Sequence, residues 1–284
     1  MKNPFQKSVL VVGNAKDDKL QYYDFFNMDV IDPKMKSKPL YIHLDMSTTG
    51  DKTGIAGTWI KGKKLSVDGQ PTNKDLFYQL AFSVSIKAPK GYQISFEKNR
   101  QFIRWLREKG FNIKCVSCDT YQSADLIQQL SAEGFKTETI SVDRVKDGIC
   151  VPYQVFKSAI YESRIEMYDS KLLTEEIVGL ERNNNGKIDH SPSGINSKDQ
   201  ADAFCGSLYS ASQHAEEFAF EYGEDIDNMT TTSNKPSEAQ LRKQIQLDFE
   251  EGLRRAFPTP PPQVISTIPQ PDMRGYYLSQ GIIL

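Results

Sequence analysis

The sequence places aspartates where apolar runs end, and carboxylates in such places can bind a cation. Asp45 closes the run PLYIHLD, and Asp119 closes the run NIKCVSCD. Asp199 and Asp202 stand three residues apart in SKDQADAF, a spacing that puts both side chains on one face of a helix. Grouped carboxylates repel one another and resist desolvation, so a divalent cation is their natural counter-charge. Each acid alone also has a structural alternative, as a cap or as a partner of a helix dipole.

Hydrolysis of a phosphodiester is the chemistry that such oxygen ligands suit. The reaction needs a deprotonated water in line with the leaving oxygen and relief of charge at phosphorus, and two Mg²⁺ or Mn²⁺ ions about 3.5–4 Å apart supply both. These hard cations prefer carboxylate oxygens to cysteine or histidine. Asp199 and Asp202 could share one ion, or one could bind it while the other supports the ligand. The sequence therefore predicts a two-metal site.

The elements that must position these acids begin with three strands. Residues 39–45, 55–62 and 78–88 are typical of strands, and the short connections between them favour an antiparallel meander. Apolar residues at helical spacing then predict a helix over 97–109, and a strand over 112–119 follows. Two of the four aspartates thus end predicted strands.

The alternation of strands and helices continues after Asp119. Helices are expected over 122–133 and 152–164, with a strand at 135–142 between them. Alternation of this kind favours parallel pairing through crossovers. The sequence therefore predicts an α/β fold with a mixed five-stranded sheet, three strands antiparallel and the later ones parallel, flanked by helices.

The region before the last acids is harder to interpret. Residues 173–190 could form a helix, but Asn185-Gly186 between two semi-apolar arms favours a β-hairpin with a type I′ turn. The helix that carries the last two aspartates is expected to begin at Ser197, with a capping box between Ser197 and Gln200. Its buried stripe is predicted to consist of Ala201, Phe204, Cys205 and Leu208.

Composition divides the chain into three parts. Residues 1–38 resemble a lead-in segment or linker, and residues 39–226 hold the predicted sheet. Residues 227–284 combine a charged amphipathic run with PTPPPQVISTIPQP, which is typical of a helical and proline-rich tail. We expect this tail to be a mobile segment or a partner-docking arm.

The overall composition excludes some classes of protein. The 284 residues are 38 % hydrophobic and 25 % charged, and no apolar run approaches the roughly 18–20 residues of a membrane-spanning helix. The net charge of -2, from 35 basic and 37 acidic side chains, gives no global basic field. Any contact with nucleic acid must therefore depend on local placement of charge.

The four cysteines argue against a disulfide scaffold and favour a reducing compartment. Cys115 and Cys118 form a C-x-x-C on a predicted strand, where this odd spacing sends the two side chains to opposite faces. A second pair for a structural zinc site is absent from the sequence. We therefore expect neither a redox role nor a zinc role for this pair.

Three motifs together resemble those of a known family. YIHLDMSTTGDKTGIAG, VSCDTYQSADLIQQL and GKIDHSPSGINSKDQADAFCGSLYSA are similar to the motifs of the ribonuclease-H-like nuclease domain in the large terminase subunit of tailed bacteriophages. The resemblance spans about residues 39–212 and depends on the motifs as a set. It implies a ribonuclease-H-like sheet, to which this sequence adds a β-hairpin and a C-terminal tail.

The resemblance also implies a function. It makes Asp45, Asp119 and Asp202 the catalytic metal-binding acids and Asp199 a further metal ligand. It implies an endonuclease that uses Mg²⁺ or Mn²⁺ to cut concatemeric double-stranded viral DNA during packaging, in the cytoplasm of the host cell. The partners that it implies are DNA, a packaging ATPase domain or subunit, the portal protein and the small terminase subunit, with no membrane.

The sequence departs from the family in lacking an ATPase. The nearest string to a phosphate-binding loop, GTWIKGKK, has Lys64 where Mg²⁺ binding needs a serine or threonine hydroxyl, and it lies in a predicted strand. We therefore expect the motor either in another part of a longer protein or in a separate chain. Residues 1–38 would then correspond to the linker from the motor.

Further side chains are candidates for supporting roles. His190 precedes the last helix and could orient a ligand or move a proton near neutral pH. Lys198 stands beside the acids and could contact phosphate, as could a set of other basic residues: Arg104, Arg107, Lys157, Arg164 and Lys187. Two other functions remain open, a junction resolvase or RNA-hybrid nuclease of the same fold and a non-catalytic module that docks DNA or the portal.

Overall fold

The computed structural model describes residues 2–13, 19–46, 52–65, 74–119, 123–191 and 197–214. Its strands are, in chain order, β1 (Val9–Val11), β2 (Leu40–Asp45), β3 (Thr53–Leu65), β4 (Lys74–Lys87), β5 (Ile113–Cys118), β6 (Thr137–Thr139), β7 (Val145–Lys146), β8 (Ile149–Cys150), β9 (Ile165–Glu166), β10 (Leu180–Arg182) and β11 (Ile188–His190). Its α-helices are α1 (Phe96–Glu108), α2 (Ala124–Ala132), α3 (Val151–Tyr161), α4 (Lys171–Val178) and α5 (Asp199–Gln213). The predicted tail, 227–284, lies outside the described residues.

The principal sheet is mixed, as predicted. Its strand order is β1-β4-β3-β2-β5-β6, and β9 also pairs with β4. β2, β3 and β4 form the antiparallel meander, and β5 and β6 continue from β2 in parallel. The five predicted strands thus lie next to one another in the sheet, with β6 at one edge. β1 and β9, both parallel to β4, extend it to seven strands.

The segment that we expected to be a lead-in contributes to the core. β1 lies within it, and short 3-10 turns follow at Tyr22–Phe25, Met28–Val30 and Pro33–Ser37. Apolar side chains of this segment pack against the side of the sheet that α1 covers, among them Phe5, Leu10, Val12, Tyr22, Phe26 and Met35. The described residues of this segment are therefore packed parts of the same domain as the sheet.

Side chains of β2 alternate between the two faces of the sheet. Leu40, Ile42 and Leu44 join the apolar cluster that includes α1, whereas Tyr41 joins the cluster that includes α5. Because successive side chains of a strand point to opposite faces, Asp45 shares the α5 side with Tyr41. The strand's own periodicity thus directs the first acid towards the helix that carries the last two.

Residues 171–190 contain both a helix and the predicted hairpin. α4 begins after Ser170, whose hydroxyl accepts from the backbone amide of Leu173, and our preference for a hairpin alone over 173–190 was wrong for this part. β10 and β11 then pair in antiparallel fashion, which confirms the hairpin. Its turn is not type I′, because Gly186 has a positive φ of 80° and Asn185 is not among the described residues with positive φ.

The helix α5 is almost wholly buried and packs across β2 and β3. The four residues of its predicted stripe are all inaccessible to solvent. The approach is close because small residues line the helix: a Cβ at Gly206 would lie 2.3 Å from the ring of His43. The predicted capping box is wrong, since α5 begins after Lys198 and no side chain at that N-cap position caps it.

Candidate metal centre

The first two acids lie side by side at the carboxyl ends of neighbouring parallel strands. Leu44 on β2 is paired with Cys118 on β5, and the backbone amide of Asp119 donates to the carbonyl of Leu44 at 3.3 Å. Asp45 and Asp119 therefore follow equivalent positions on adjacent strands. This edge of an open α/β sheet is where ligands ordinarily gather.

A glycine on β3 lets the helix α5 approach the same edge. Gly54 is the antiparallel partner of Asp45, and a Cβ at Gly54 would lie 1.9 Å from the carbonyl oxygen of Asp199. No side chain fits between this strand and the first turn of α5. The absence of a side chain at Gly54 thus brings Asp199 and Asp202 to the strand end that carries Asp45.

The charges of the other predicted acids act on the carboxyl of Asp45. Desolvation raises the pKa of the Asp45 carboxyl well above its ordinary value, and the negative charges of Asp202, Asp199 and Asp119 raise it further. The positive charge of Lys198 acts in the opposite direction. Burial and the neighbouring negative charges therefore favour the protonated form of Asp45.

Both carboxylate oxygens of Asp202 are held by the protein. The hydroxyl of Tyr153, on α3, donates to Oδ1, and Nζ of Lys198 lies 2.9 Å from Oδ2. Burial raises the pKa of Asp202 to about 7, although the Lys198 charge and the hydrogen bond from Tyr153 act in the opposite direction. These contacts fix the orientation of the Asp202 side chain.

A fifth acid, Asp143, lies at the edge of the cluster and was not predicted. Its Oδ1 accepts from Nζ of Lys198 at 2.8 Å, and its Oδ2 lies 3.2 Å from Nζ of Lys187 in the β10–β11 hairpin. Lys198 thus bridges Asp143 and Asp202. The signal was present in the sequence, because Asp143 follows a predicted strand as Asp45 and Asp119 do.

The N-terminus of α5 is capped from another helix. The carboxylate of Glu176, on α4, accepts from the backbone amides of Gln200 and Ala201 at 2.9 and 3.0 Å. The hydroxyl of Ser197 donates to the same carboxylate at 2.8 Å, and it also lies 2.5 Å from Oδ2 of Asp199. Glu176 is 2 % exposed. No local spacing in the sequence could have found this cap.

The four predicted aspartates offer the oxygen ligands that a hard divalent cation binds, although no three of their carboxylates have oxygens within 4.8 Å of one another in this structure. The carboxylates come from three separate elements and their oxygens are the ligands that Mg²⁺ and Mn²⁺ prefer. Within the described residues the cation that touches the cluster most closely is Lys198, which engages Asp202 and Asp143. Nζ of a second lysine, Lys52, lies 3.8 Å from Oδ2 of Asp199.

Of the residues predicted to support the site, one lies among the acids and the others contact different partners. Lys198 lies among the acids, as expected. The ring of His190 contacts its neighbour Asp189, with Nδ1 3.0 Å from Oδ1, and not one of the four predicted acids. Several of the basic candidates are engaged elsewhere: Arg104 pairs with Glu97 and Glu133, Arg107 stacks on Phe135, and Arg164 pairs with Glu162.

No family model matches this sequence, and no curated protein matches it. Solved structures do match its fold. The large terminase of bacteriophage HK97 aligns over 62 % of this chain and 40 % of its own, at 13 % identity and a TM-score of 0.45. The large terminase nuclease from thermophilic phage G20c with bound magnesium aligns over 61 % and 82 %, at 14 % identity and a TM-score of 0.43.

A third structure, the g2p (large terminase) nuclease domain from bacteriophage SPP1 with bound Mn, aligns over 74 % of this chain and 99 % of its own, at 10 % identity and a TM-score of 0.38. The chain is similar in structure to several phage large terminase nuclease domains, at low sequence identity. The aligned part spans 40 % of the HK97 protein.

A membrane-spanning role was not expected from the sequence. None of the helices that the structure describes combines the length and apolarity needed to cross a membrane.

Proposed function

We propose that this chain is a divalent-metal-dependent endonuclease that cleaves concatemeric double-stranded viral DNA during genome packaging, as the nuclease part of a terminase large subunit. The observation that carries the proposal is the convergence of Asp45, Asp119, Asp199 and Asp202 from β2, β5 and α5. Such convergence has no structural benefit by itself, because the charges repel one another where they are desolvated.

In this proposal Asp45, Asp119 and Asp202 hold Mg²⁺ or Mn²⁺, and Asp199 adds a further oxygen. Ions bound there would supply an activated water and relief of the negative charge that develops on the phosphate. The two strand ends and the glycine at position 54 support this arrangement, because they bring the backbone of these acids to the same edge of the sheet.

The neighbouring residues orient the third acid. Tyr153 keeps its proton, because burial and the nearby Asp202 raise the pKa of its hydroxyl well above its ordinary value, so it acts only as a donor to Oδ1 of Asp202. Lys198 holds Oδ2 of the same residue. Lys198 is half-buried between two acids and also offers a positive charge to a phosphate that approaches them.

The proposal implies partners and a place of action. The substrate is double-stranded DNA with little sequence preference, and the chain works beside a packaging ATPase, the portal protein and the small terminase subunit. It acts in the cytoplasm of the infected host cell. His190 remains a proposed supporting residue, acting through Asp189 and its neighbourhood.

Cleavage of supercoiled plasmid tests the proposal. We expect cutting with Mn²⁺ or Mg²⁺, none with EDTA, and loss of cutting in Asp45→Asn, because that change removes one ligand charge. Asp125→Asn is the matched control, since the Asp125 side chain is 61 % exposed on α2 and pairs with Arg100 outside the cluster. It should cut as the parent does.

Other outcomes select the alternatives. Branched DNA or RNA–DNA hybrids cut far ahead of plain duplex would favour the resolvase or hybrid nuclease. A folded chain that binds DNA but cuts no substrate with any of these metals would overturn the proposal in favour of a docking module.

A further inference from the structure

A second group of metal-ligating side chains lies away from the aspartates. Cys115 on β5, Glu138 on β6 and His214 at the C-terminal end of α5 each offer one ligand atom, and these atoms all lie within 4.8 Å of one another. Cys115 precedes Asp119 by four residues, about 13 Å along the strand. The group is therefore separate from the proposed nuclease site.

We propose that Cys115, Glu138 and His214 form a binding site for a zinc-class transition-metal ion. A thiolate, an imidazole and a carboxylate are a donor set that suits Zn²⁺, and three protein ligands leave a fourth position for water. Mg²⁺ and Mn²⁺ prefer oxygen ligands instead. The chain would thus hold two kinds of site, distinguished by the softness of their ligands.

The spacing of the ligand atoms favours such an ion. Nε2 of His214 lies 3.0 Å from Oε2 of Glu138. Two ligands that each stand about 2.0–2.1 Å from a tetrahedral zinc lie about 3.3 Å apart, so these two atoms need to move little. Cys115 is buried, whereas the Glu138 and His214 side chains are 25 % and 13 % exposed. An ion can therefore enter from the side of the carboxylate.

Neighbouring residues orient two of the ligands. The hydroxyl of Ser210, on α5, donates to Oε1 of Glu138. The ring of His214 stacks on Tyr41, with centroids 6.0 Å apart and planes at 5°. Contacts of this kind orient the side chains that bind a metal ion, and they are typical of metal sites.

Without a metal ion the Cys115 side chain keeps its proton, and the ammonium group of Lys136 lies beside the ring of His214. Nζ of Lys136 lies 3.2 Å from Nδ1 of His214. Burial, with the charge of Glu138, raises the pKa of the Cys115 thiol to about 12. Binding of the ion would release the Cys115 proton to solvent, place the His214 ring proton on Nδ1, and require the flexible Lys136 chain to turn outward.

The position of the ion would affect the nuclease-like core. The site joins the end of α5 to β5 and β6, and the same helix and strand carry Asp202 and Asp119 at their other ends. An ion that binds the folded state and not the unfolded chain raises the midpoint of thermal unfolding. We therefore expect a stabilising ion in addition to the catalytic ones.

Cobalt(II) spectroscopy tests the site without any measurement of DNA cleavage. The full chain is titrated with Co²⁺ in the presence of excess Mg²⁺, which competes at the aspartates. We expect a thiolate-to-cobalt charge-transfer band and tetrahedral visible bands that saturate at one ion per chain and disappear when Zn²⁺ is added. Cys115→Ser should lose the charge-transfer band.

Cys118→Ser is the matched control, because Cys118 is a buried thiol on the same strand and faces the other apolar cluster. It should keep the full spectrum. His214→Gln, a change at a helix end, should weaken Co²⁺ binding at least tenfold, and Zn²⁺ should raise the unfolding midpoint of the parent by several degrees but not that of Cys115→Ser.

The proposal is overturned if the folded parent shows no charge-transfer band, or if Cys115→Ser retains it. In either case the three side chains form only a hydrogen-bonded cluster. The nuclease proposal is tested separately, since Asp45→Asn should keep the cobalt spectrum whether or not it cuts DNA.

Discussion

The carboxylate of Glu176, on α4, accepts a hydrogen bond from the backbone amide of Ala201, on α5, at 3.0 Å. The amide of Gln200 donates to the same oxygen. A buried anion thus caps the first turn of the helix that carries Asp199 and Asp202, where backbone N–H groups would otherwise lack partners.

Replacement of this cap should weaken both the fold and the metal site. Glu176→Gln removes the charge and one acceptor, and we expect a loss of about 1–3 kcal/mol in the free energy of unfolding. Mn²⁺ affinity should fall as well, because the first turn of α5 loosens. Denaturant unfolding and calorimetric titration measure the two effects.

Glu175→Gln is the control for that change. The Glu175 side chain is 43 % exposed and pairs only loosely with Lys171, at 3.8 Å. Its unfolding and Mn²⁺ affinity should stay close to those of the parent. Equal behaviour of the two variants would show that the cap does not position the acids.

A methyl group at position 54 should separate β3 from α5. In Gly54→Ala the new Cβ would lie 1.9 Å from the carbonyl oxygen of Asp199 and 2.5 Å from its carbonyl carbon. The backbone can move aside only at a high energetic cost. We therefore expect the free energy of unfolding to fall by about 3 kcal/mol or more and Mn²⁺ binding to weaken at least tenfold.

Gly91→Ala is the comparison for Gly54→Ala. A Cβ there meets nothing within 4 Å, although the φ of +83° makes it strained. Gly91→Ala should lower the free energy of unfolding by only about 1–2 kcal/mol and leave Mn²⁺ binding intact. If Gly54→Ala binds Mn²⁺ as tightly as the parent, the close approach of helix and strand does not set the site.

Removal of the lysine within the cluster should make the fold depend on added metal. In Lys198→Met, Asp143 and Asp202 lose their shared cation, so the metal-free protein should unfold at a lower temperature than the parent. Mg²⁺ should then raise the midpoint of thermal unfolding more in the variant than in the parent, because it restores the missing positive charge.

Lys171→Met serves as the reference for Lys198→Met, since the Lys171 side chain is 88 % exposed. Scanning calorimetry with Mg²⁺ and with EDTA measures all three proteins. An equal response of parent and Lys198→Met to Mg²⁺ would contradict the role assigned to Lys198.

A buried histidine should make the protein sensitive to acid. Nδ1 of His43 lies 2.8 Å from Oγ of Ser117, and burial lowers its pKa from 6.5 to about 3. Between these values the unfolded chain binds a proton that the folded one does not. The contribution of neutral His43 to the free energy of unfolding is therefore complete above pH 6.5. It falls by on the order of 4 kcal/mol as the pH drops towards 3.

Ring signals of His43 in NMR spectra and acid unfolding curves check this. The ring should stay neutral in the folded protein well below pH 6.5, and His43→Gln should unfold with a shallower dependence on acid. Titration of the folded His43 ring near its ordinary value would refute the prediction.

Local pattern was sufficient for the central strands and for the acids that end them. The alternation in PLYIHLD and the apolar run before Asp119 are short-range signals, and a strand-end acid is visible without knowledge of the fold. The hairpin followed from Asn185-Gly186, although the φ values of its turn did not. Asp143 offered the same kind of signal and was overlooked.

The sequence by itself determined which residues carry negative charge, on which kinds of element they lie, and in what order these elements occur. Only the tertiary structure decided that α5 reaches the end of β2, because that approach depends on the missing side chain at Gly54. It also decided that Glu176 caps α5, and that the side chain of Cys115 lies near His214 and not near Cys118. These contacts join residues that are far apart in the chain, so local propensity carries no information about them. They form only when helices pack against both faces of the sheet.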